Sequence, residues 1–480
     1  MIFDMELEDL IEKYAVKNAI KYDGECNPQS VLGKVLSENP DLRKEAKKVK
    51  SKVEELAEKI NNMELEAQRE IAQKYEYEED KEEEKGLPDL PNAEEGNIVM
   101  RMAPFPSGLL HLGNARMAIL NDEYVKKYDG KLILVLDDTA GSKEKKPTRE
   151  AYEGIPEDLE WLGVDFDEII YKSDRMDLFY EYAEKFLEKG WAYVCTCDAE
   201  KLRSYRKEGK ECEHRDHSEE KNLELWRKMI EGDLKEGDAA VRLKTDMQYK
   251  DPAFRDRVLL RISESDHPRV GSKYRVWPML EFSWAIDDHE LGMTHILRGK
   301  DLVMEDKMER YMWDLLNWEE PEILHHGLFS IKGVKMSTSE SRRKISSGEY
   351  NGWEDPRTWS LRALKKRGIR PEAIREFILE LGMSENDITV PTEALYKHNR
   401  DIIDEKANRY FFVPDPKSIK LEGCPEKIAK LPLHPDFDER GERELQPGKN
   451  ILIPRDDLQD GDIRLKGLYN VELKGDAAKF

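Results

Sequence analysis

Residues 103–114 read APFPSGLLHLGN, and this stretch decides how the rest of the chain is read. It follows the short apolar run NIVMRM (97–102). It precedes ARMAILNDEYVKKY (115–128), whose apolar spacing is helical and which Gly130 stops. KLILVL (131–136) comes next, a continuous apolar run of the kind expected for a strand buried on both faces. Strand, helix and strand in so short a span predict a βαβ unit and hence a parallel sheet. Within the turn, Pro104 and Pro106 stiffen the entry, and Ser107 or Asn114 can cap the helix. Gly108 and Gly113 offer unusual dihedrals and a close approach of backbone to ligand. A strand feeding a helix N-terminus at the C-terminal edge of a sheet is an anion site, so the turn predicts a phosphate or nucleotide site. It is neither GxxxxGK[ST] nor GxGxxG, which disfavours two familiar nucleotide folds.

The 480 residues suffice for several domains and a large core. No run of about 18 apolar residues occurs, so no membrane span is expected. The start, MIFDMELEDL, lacks the basic-then-apolar order of a secretory signal. Five cysteines, an odd number, do not make a disulfide framework and point to a reducing, cytoplasmic setting. The formal charge of −23 argues against non-specific coating of nucleic acid, but not against a nucleic-acid partner held by local patches. Such patches are SKEKKPTR (142–149), ESRRK (340–344) and LRALKKRGIR (361–370); taken singly, each is most simply a solvated helix face.

Residues 1–96 read as a helical extension. Val49, Val53, Leu56 and Ile60 recur at helical spacing, and the acidic segment 76–97 is broken by Gly86, Pro88 and Pro91 as a linker would be. Residues 97–340 read as a Rossmann-like parallel-sheet domain. Further helices fall at 149–163 and 175–190 and further strands at 239–244, 295–299 and 322–327, with a polar, cysteine-containing insertion at about 195–237. A helical pattern returns over 341–400. From 401 to 480, short apolar runs among prolines, such as RYFFVPDP (409–416), predict a β-barrel that the mid-pattern stop at Phe480 leaves incomplete. The expected fold class is therefore multidomain α/β, with no internal repeat.

PFPSGLLHLGN (104–114) resembles the first signature of class I aminoacyl-tRNA synthetases, usually HIGH, with His111-Leu112-Gly113-Asn114 in its place. GVKMSTSES (333–341) resembles the second, the KMSKS loop, as Lys335-Met336-Ser337-Thr338-Ser339. RMAPFPSG (101–108), DDTA (137–140) and YRVWPMLEFSWAIDDHELGMTHILRGKD (274–301) resemble blocks of the glutamyl/glutaminyl branch. The helical extension and β-rich C-terminal part are similar to the archaeal glutamyl members, and the resemblance covers nearly the whole chain.

What the resemblance implies is activation of L-glutamate by ATP and its transfer to the 3′ end of tRNA(Glu). Neither step needs a protein nucleophile. Both need positioning and stabilisation of charge on phosphate oxygens, where each 1.36 kcal/mol is about tenfold in rate. His111, Asn114 and Lys335 are the implied catalytic groups: an imidazole donor, an amide donor and a mobile ammonium for the departing pyrophosphate. Pro104, Ser107, Gly108, Gly113, Met336, Ser337, Thr338 and Ser339 complete the implied ATP site, with Mg²⁺ bridging the β- and γ-phosphates. A dicarboxylic substrate wants the arginine fork. Arg101 and Arg298 match substrate-binding arginines, Asp137 the acid for the α-amino group, and Ala103 and Leu280 other pocket positions. Leu280 stands where bacterial relatives carry tyrosine, and Val135 and Ala140 replace an arginine and an aspartate of the branch pattern. Asp287-Asp288-His289 is expected to be a structural loop or cap, because three consecutive side chains do not converge on one ion.

CTCDAEKLRSYRKEGKECEH (195–214) holds Cys195, Cys197, Cys212 and His214 in two close pairs, a set that suits tetrahedral zinc. His217 is a substitute fourth ligand. The plainer reading, buried thiols beside a surface histidine, stays open; some relatives carry a similar zinc knuckle. Cys26 and Cys424 read as ordinary thiols. The implied partner is tRNA, laid across the insertion, the helical region and the barrel, with LRALKKRGIR on its backbone and anticodon bases read by stacking. Charging of tRNA(Gln) as well stays open, and a monomer is expected. Two alternatives remain: glutaminyl activity, which shares both signatures, and a truncated inactive RNA-binding protein.

Overall fold

The computed structural model describes residues 2–21, 24–39, 42, 46–75, 86–139 and 146–480. The chain divides into two compact units, Met1–Lys85 and Gly86–Phe480. The first is helical: α1 (Ile2–Lys21), α2 (Pro28–Glu38), α3 (Ala46–Asn61) and α4 (Leu65–Ala72). Its core joins Ile11, Ala15 and Val16 of α1, Val31 and Val35 of α2 and one face of α3. That face is Val49, Val53, Ala57 and Ile60; Leu56, expected on it, is only half-buried because the stripe steps by four, four and three. Asn27 caps α2 by accepting from Gln29 N at 2.9 Å, with Pro28 at the first helical position. The acidic stretch 76–85 lies outside the described residues.

The second unit opens with the predicted βαβ. Strand β1 (Val99–Met102) runs into α5 (Leu112–Lys127), and β2 (Lys131–Leu136) pairs with β1 in parallel, Arg101 opposite Ile133. After α6 (Arg149–Trp161), β3 (Glu168–Tyr171) adds to the other edge of β2, also in parallel. Along β2, Leu132, Leu134 and Leu136 pack with α5 and α6, while Ile133 and Val135 pack with α7 (Met176–Glu188) on the opposite face. This is why that run is apolar throughout rather than alternating.

The cysteine-bearing insertion is built on an antiparallel sheet of β4 (Ala192–Cys195), β5 (Ala240–Leu243), β6 (Val258–Ile262) and β7 (Val276–Pro278). Helices α8 (Ala199–Glu208) and α9 (Glu219–Glu231) lie between β4 and β5 in sequence. The segment 195–237 is therefore one part of a unit whose sheet spans 192–278, and the expected strand at 239–244 belongs to this sheet rather than to the parallel one. Helix α10 (Leu280–Glu290) leads back to β8 (His295–Gly299), and α11 (Val303–Leu316) leads to β9 (Glu322–His326), which pairs with β8 in parallel. β8 starts beside β1, where Thr294 N donates to Val99 O at 3.0 Å.

β10 (Phe329–Ile331) precedes the second signature loop and pairs with the later β11 (Ile388–Val390). Between them lie α12 (Thr338–Ser346), α13 (Leu361–Lys366) and α14 (Pro371–Leu381), and α15 (Thr392–Ile403) follows. Residues 404–480 form an open five-stranded sheet: β12 (Pro416–Glu422), β15 (Asn450–Pro454), β16 (Gly461–Arg464), β17 (Asn470–Lys474) and β18 (Ala477–Lys479). A separate hairpin joins β13 (Ala429–Pro432) and β14 (Glu442–Leu445). Edge strands β15 and β16 do not pair, so the described strands make a half-barrel rather than a closed one.

Candidate active site

The turn between β1 and α5 is held from three sides. Asp137 N, at the end of β2, donates to Pro104 O at 3.1 Å. Leu361 N donates to Leu110 O at 2.9 Å and Leu112 N to Trp359 O at 3.2 Å, a short antiparallel bridge to the start of α13. Arg342 Nη1, on α12, donates to Ser107 O at 3.1 Å. The first signature is thereby fixed to the second, and part of ESRRK is a clamp rather than a free solvated face.

The helix cap is His111 itself, in extended backbone, with Asn114 Oδ1 accepting from His111 N at 3.1 Å. This corrects the expectation that Ser107 or Asn114 sits at the cap position. Burial pushes the His111 imidazole down to about 4, so it is neutral at pH 7, and its Nδ1 has no protein partner among the described residues. Neither Gly108 nor Gly113 has a positive φ. Their constraint is space. A Cβ on Gly108 would lie 2.5 Å from Trp353 Cη2 and 2.7 Å from Thr338 Cγ2, and one on Gly113 would lie 2.8 Å from His111 Cε1.

These elements enclose a cavity of about 330 Å³ lined by Pro104, Ser107, Gly108, His111, Asn114, Met336, Ser337, Thr338 and Ser339, with Phe105, Leu109 and Leu110. Two helices begin at it: α5 after His111, and α12 after Ser337, whose Oγ accepts from Glu340 N at 3.3 Å. Two N-termini and no carboxylate in the lining make an anion-favouring pocket. Gly113 and Lys335 stand outside that lining. Lys335 is 77% exposed and its Nζ pairs with Glu340 Oε2 at 2.5 Å.

The positions expected to hold the amino acid lie toward the C-terminal ends of β1, β2 and β8. Arg101 is buried with both nitrogens of its fork on Asp288, Nη2 to Oδ2 at 2.7 Å. Arg298 is buried with its fork on Glu309, at 3.0 and 2.6 Å, and an ion pair to Asp306. Both guanidinium carbons face the Trp284 ring, at 4.6 and 5.3 Å, and Lys172 Nζ lies 5.3 Å from the same centroid. Lys172 donates to Ser283 Oγ at 2.8 Å and sits 3.6 Å from Asp137 Oδ1. Burial lowers its pKa and Asp137 opposes that. Arg101, Asp137 and Arg298 thus share one cluster with Lys172, Trp284, Asp288 and Glu309, none of which sequence reasoning had singled out for the pocket. Trp284 was visible inside the quoted block, but nothing in its spacing marked it. Ala103 is half-buried beside the core that contains Phe282, and Leu280 is the first residue of α10. Ala140 lies outside the described residues. Asp287, Asp288 and His289 are in a helix, not a loop. They diverge to Arg175, to Arg101 and to a stack on Trp318 with ring centroids 3.7 Å apart.

In the insertion, Cys195, Cys197, Cys212 and His214 place their ligand atoms within 4.8 Å of one another. Cys195 Sγ to Cys212 Sγ is 3.8 Å, and His214 Nδ1 is 3.7, 3.4 and 3.9 Å from the three sulfurs. Zinc bonds of about 2.3 Å to sulfur and 2.0 Å to nitrogen at tetrahedral angles give edges of roughly 3.5–3.8 Å; the four edges above match, and the two from Cys197 Sγ to the other sulfurs lie within 4.8 Å. His214 Nε2 is 2.9 Å from Thr196 Oγ1, which fixes the ring.

The profile of tRNA synthetases class I (E and Q), catalytic domain, matches residues 97–405, and that of the anti-codon binding domain of the same group matches 407–479. This chain belongs to the class I tRNA synthetases of the E and Q group. Within that family it is similar to the glutamate–tRNA ligase of Pyrococcus abyssi, 51% identical over 98% of this chain and 84% of the relative. It is also similar to that of Methanothermobacter marburgensis, at 46% identity over 97% and 84%. A crystal structure of a glutamate tRNA ligase from Elizabethkingia meningosepticum aligns at 20% identity with a TM-score of 0.49, over 65% of this synthetase and 70% of that chain. No described helix of the synthetase is long and apolar enough to cross a membrane.

Proposed function

We propose that the chain is a glutamate–tRNA ligase that forms glutamyl-adenylate from ATP and L-glutamate and passes the glutamyl group to tRNA(Glu). The observation that carries this is the meeting of the two signature segments at one anion-favouring cavity beside a buried cluster of Arg101, Lys172 and Arg298. The archaeal relatives' names support glutamate over glutamine.

His111 donates through a neutral ring to the α-phosphate, and Asn114 adds amide hydrogens whose donor capacity does not titrate. Lys335 leaves Glu340 to meet the outgoing pyrophosphate. The pocket lining offers Mg²⁺ no carboxylate, so the ion would arrive with ATP. Asp137 takes the substrate ammonium, and the substrate carboxylates are drawn to the cations of the arginine cluster, whose forks Asp288 and Glu309 already orient. The four insertion ligands would hold zinc, which closes that knuckle structurally rather than reacting. The chain acts as a cytoplasmic monomer. Within LRALKKRGIR, Arg362 pairs with Glu157 and Asp158 and Lys366 with Glu354, so tRNA would meet a partly neutralised face.

ATP–pyrophosphate exchange with glutamate or glutamine, with tRNA(Glu) in every arm, tests the reading. Exchange with glutamate alone is expected. Exchange with glutamine alone moves the chain to the other branch, and none with either leaves an RNA-binding protein.

A further inference from the structure

The zinc-type cluster has a fifth neighbour that no ligand motif contains. Arg242 lies in the middle of β5, opposite Tyr193 of β4, and is 1% exposed. Its Nη1 lies 3.7 Å from Cys195 Sγ and 3.7 Å from Cys212 Sγ, and its Nε donates to Asp256 O at 2.8 Å. Its Nη2 has no hydrogen-bond partner among the described residues. The nearby Asp256 carboxylate favours its charge but is shared with Arg215, and its oxygens are taken up by other donors. Asp256 accepts from Arg215 Nε at 3.0 Å, Tyr193 OH at 2.9 Å and Thr245 N at 2.8 Å. A buried guanidinium whose hydrogen bonds end on two sulfurs and a carbonyl needs a negative charge within reach.

Three thiolates and one divalent ion sum to −1, and one guanidinium brings the group to zero. We propose that Arg242 is the fixed counter-charge of the metal centre: it neutralises the surplus thiolate charge of a Cys₃His zinc site and holds Cys195 and Cys212 as metal-bound thiolates. The inference rests on the zinc reading above and adds the residue that makes such a site tolerable in a buried setting. With a neutral side chain in its place, the centre would carry an uncompensated charge, and removal of an outer partner of this kind typically costs about 10–100-fold in metal affinity.

The test uses the 480-residue chain, its zinc content measured by elemental analysis and its zinc affinity by competition with a colorimetric chelator at pH 7.5. Wild type is expected to carry one zinc per chain, Arg242→Met to bind at least about tenfold more weakly, and Arg242→Lys to fall between. A second arm places Arg242→Met in a Cys197→His background. That centre is neutral without the arginine, so there the penalty should largely vanish, whether or not Arg242→Met is less stable overall. Wild-type zinc affinity in folded Arg242→Met, or an equal penalty in both backgrounds, overturns the counter-charge. A wild-type protein that neither carries nor takes up zinc overturns the zinc reading itself, and this proposal with it.

Discussion

Gly108 and Thr338 are in contact across the pocket between the two signature segments: a Cβ added to the glycine would stand 2.7 Å from the threonine Cγ2 and 2.5 Å from the Trp353 ring. Two signatures far apart in sequence close on one space because one residue between them has no side chain.

Gly108→Ala should therefore push α12 and Trp353 off the first signature. Overpacking of this kind costs about 1–3 kcal/mol. Urea denaturation should show that loss, and pyrophosphate exchange should show a raised KM for ATP. Wild-type values for both would mean that the segments do not pack as described.

Arg101 and Asp288 form a buried ion pair, which is costly to break from one side only. Arg101→Ala should lose about 3–5 kcal/mol because it strands the carboxylate. Arg101→Met combined with Asp288→Asn should recover much of this while still lacking glutamate-dependent exchange. Denaturation midpoints of the two variants separate the structural share of Arg101 from its share in substrate binding.

The His111 pKa in the fold, about 4, lies below the unfolded value of about 6.5. The native state thus binds fewer protons, so this contribution is complete above pH 6.5 and is lost as pH falls toward 4. His217, His267 and His326 are depressed by burial in the same direction, so the comparison must be with a variant. Between pH 7 and 4 the stability difference between wild type and His111→Gln should move in the variant's favour by at most about 3 kcal/mol. A difference that does not change with pH would refute the neutral buried ring.

Lys335 rests on Glu340 at the protein surface. Lys335→Ala should lower kcat by about tenfold or more, as expected for a group that acts on transition-state charge, with an unchanged unfolding midpoint. Glu340→Gln frees the ammonium and should leave kcat unchanged or raise it. A parallel fall in both variants would show that the pair matters for loop shape rather than for charge.

The βαβ unit was legible because KLILVL is a continuous apolar run that follows a helix of sixteen residues, and Gly130 marks where that helix ends. The insertion sheet was not. VLLRI (258–262) and RVWP (275–278) are short apolar runs, and no periodicity distinguishes such strands from other buried segments. The cap at His111 was missed for a related reason: residue type offered Ser107 and Asn114, while backbone geometry chose the residue between them. Leu56 lost its place on the buried face of α3 to Ala57 because which stripe is covered depends on the neighbouring helices.

Local order determined the two signatures, the four metal-type ligands and the parallel core, since each is written in residues close together along the chain. Tertiary structure alone decided that Arg101 faces Asp288, that Lys172 joins the arginines at Trp284, that Arg342 clamps Ser107 and that Arg242 stands beside two thiols. Those contacts join residues from separate elements, and only the packing of sheet against helix brings their charges within a few ångströms.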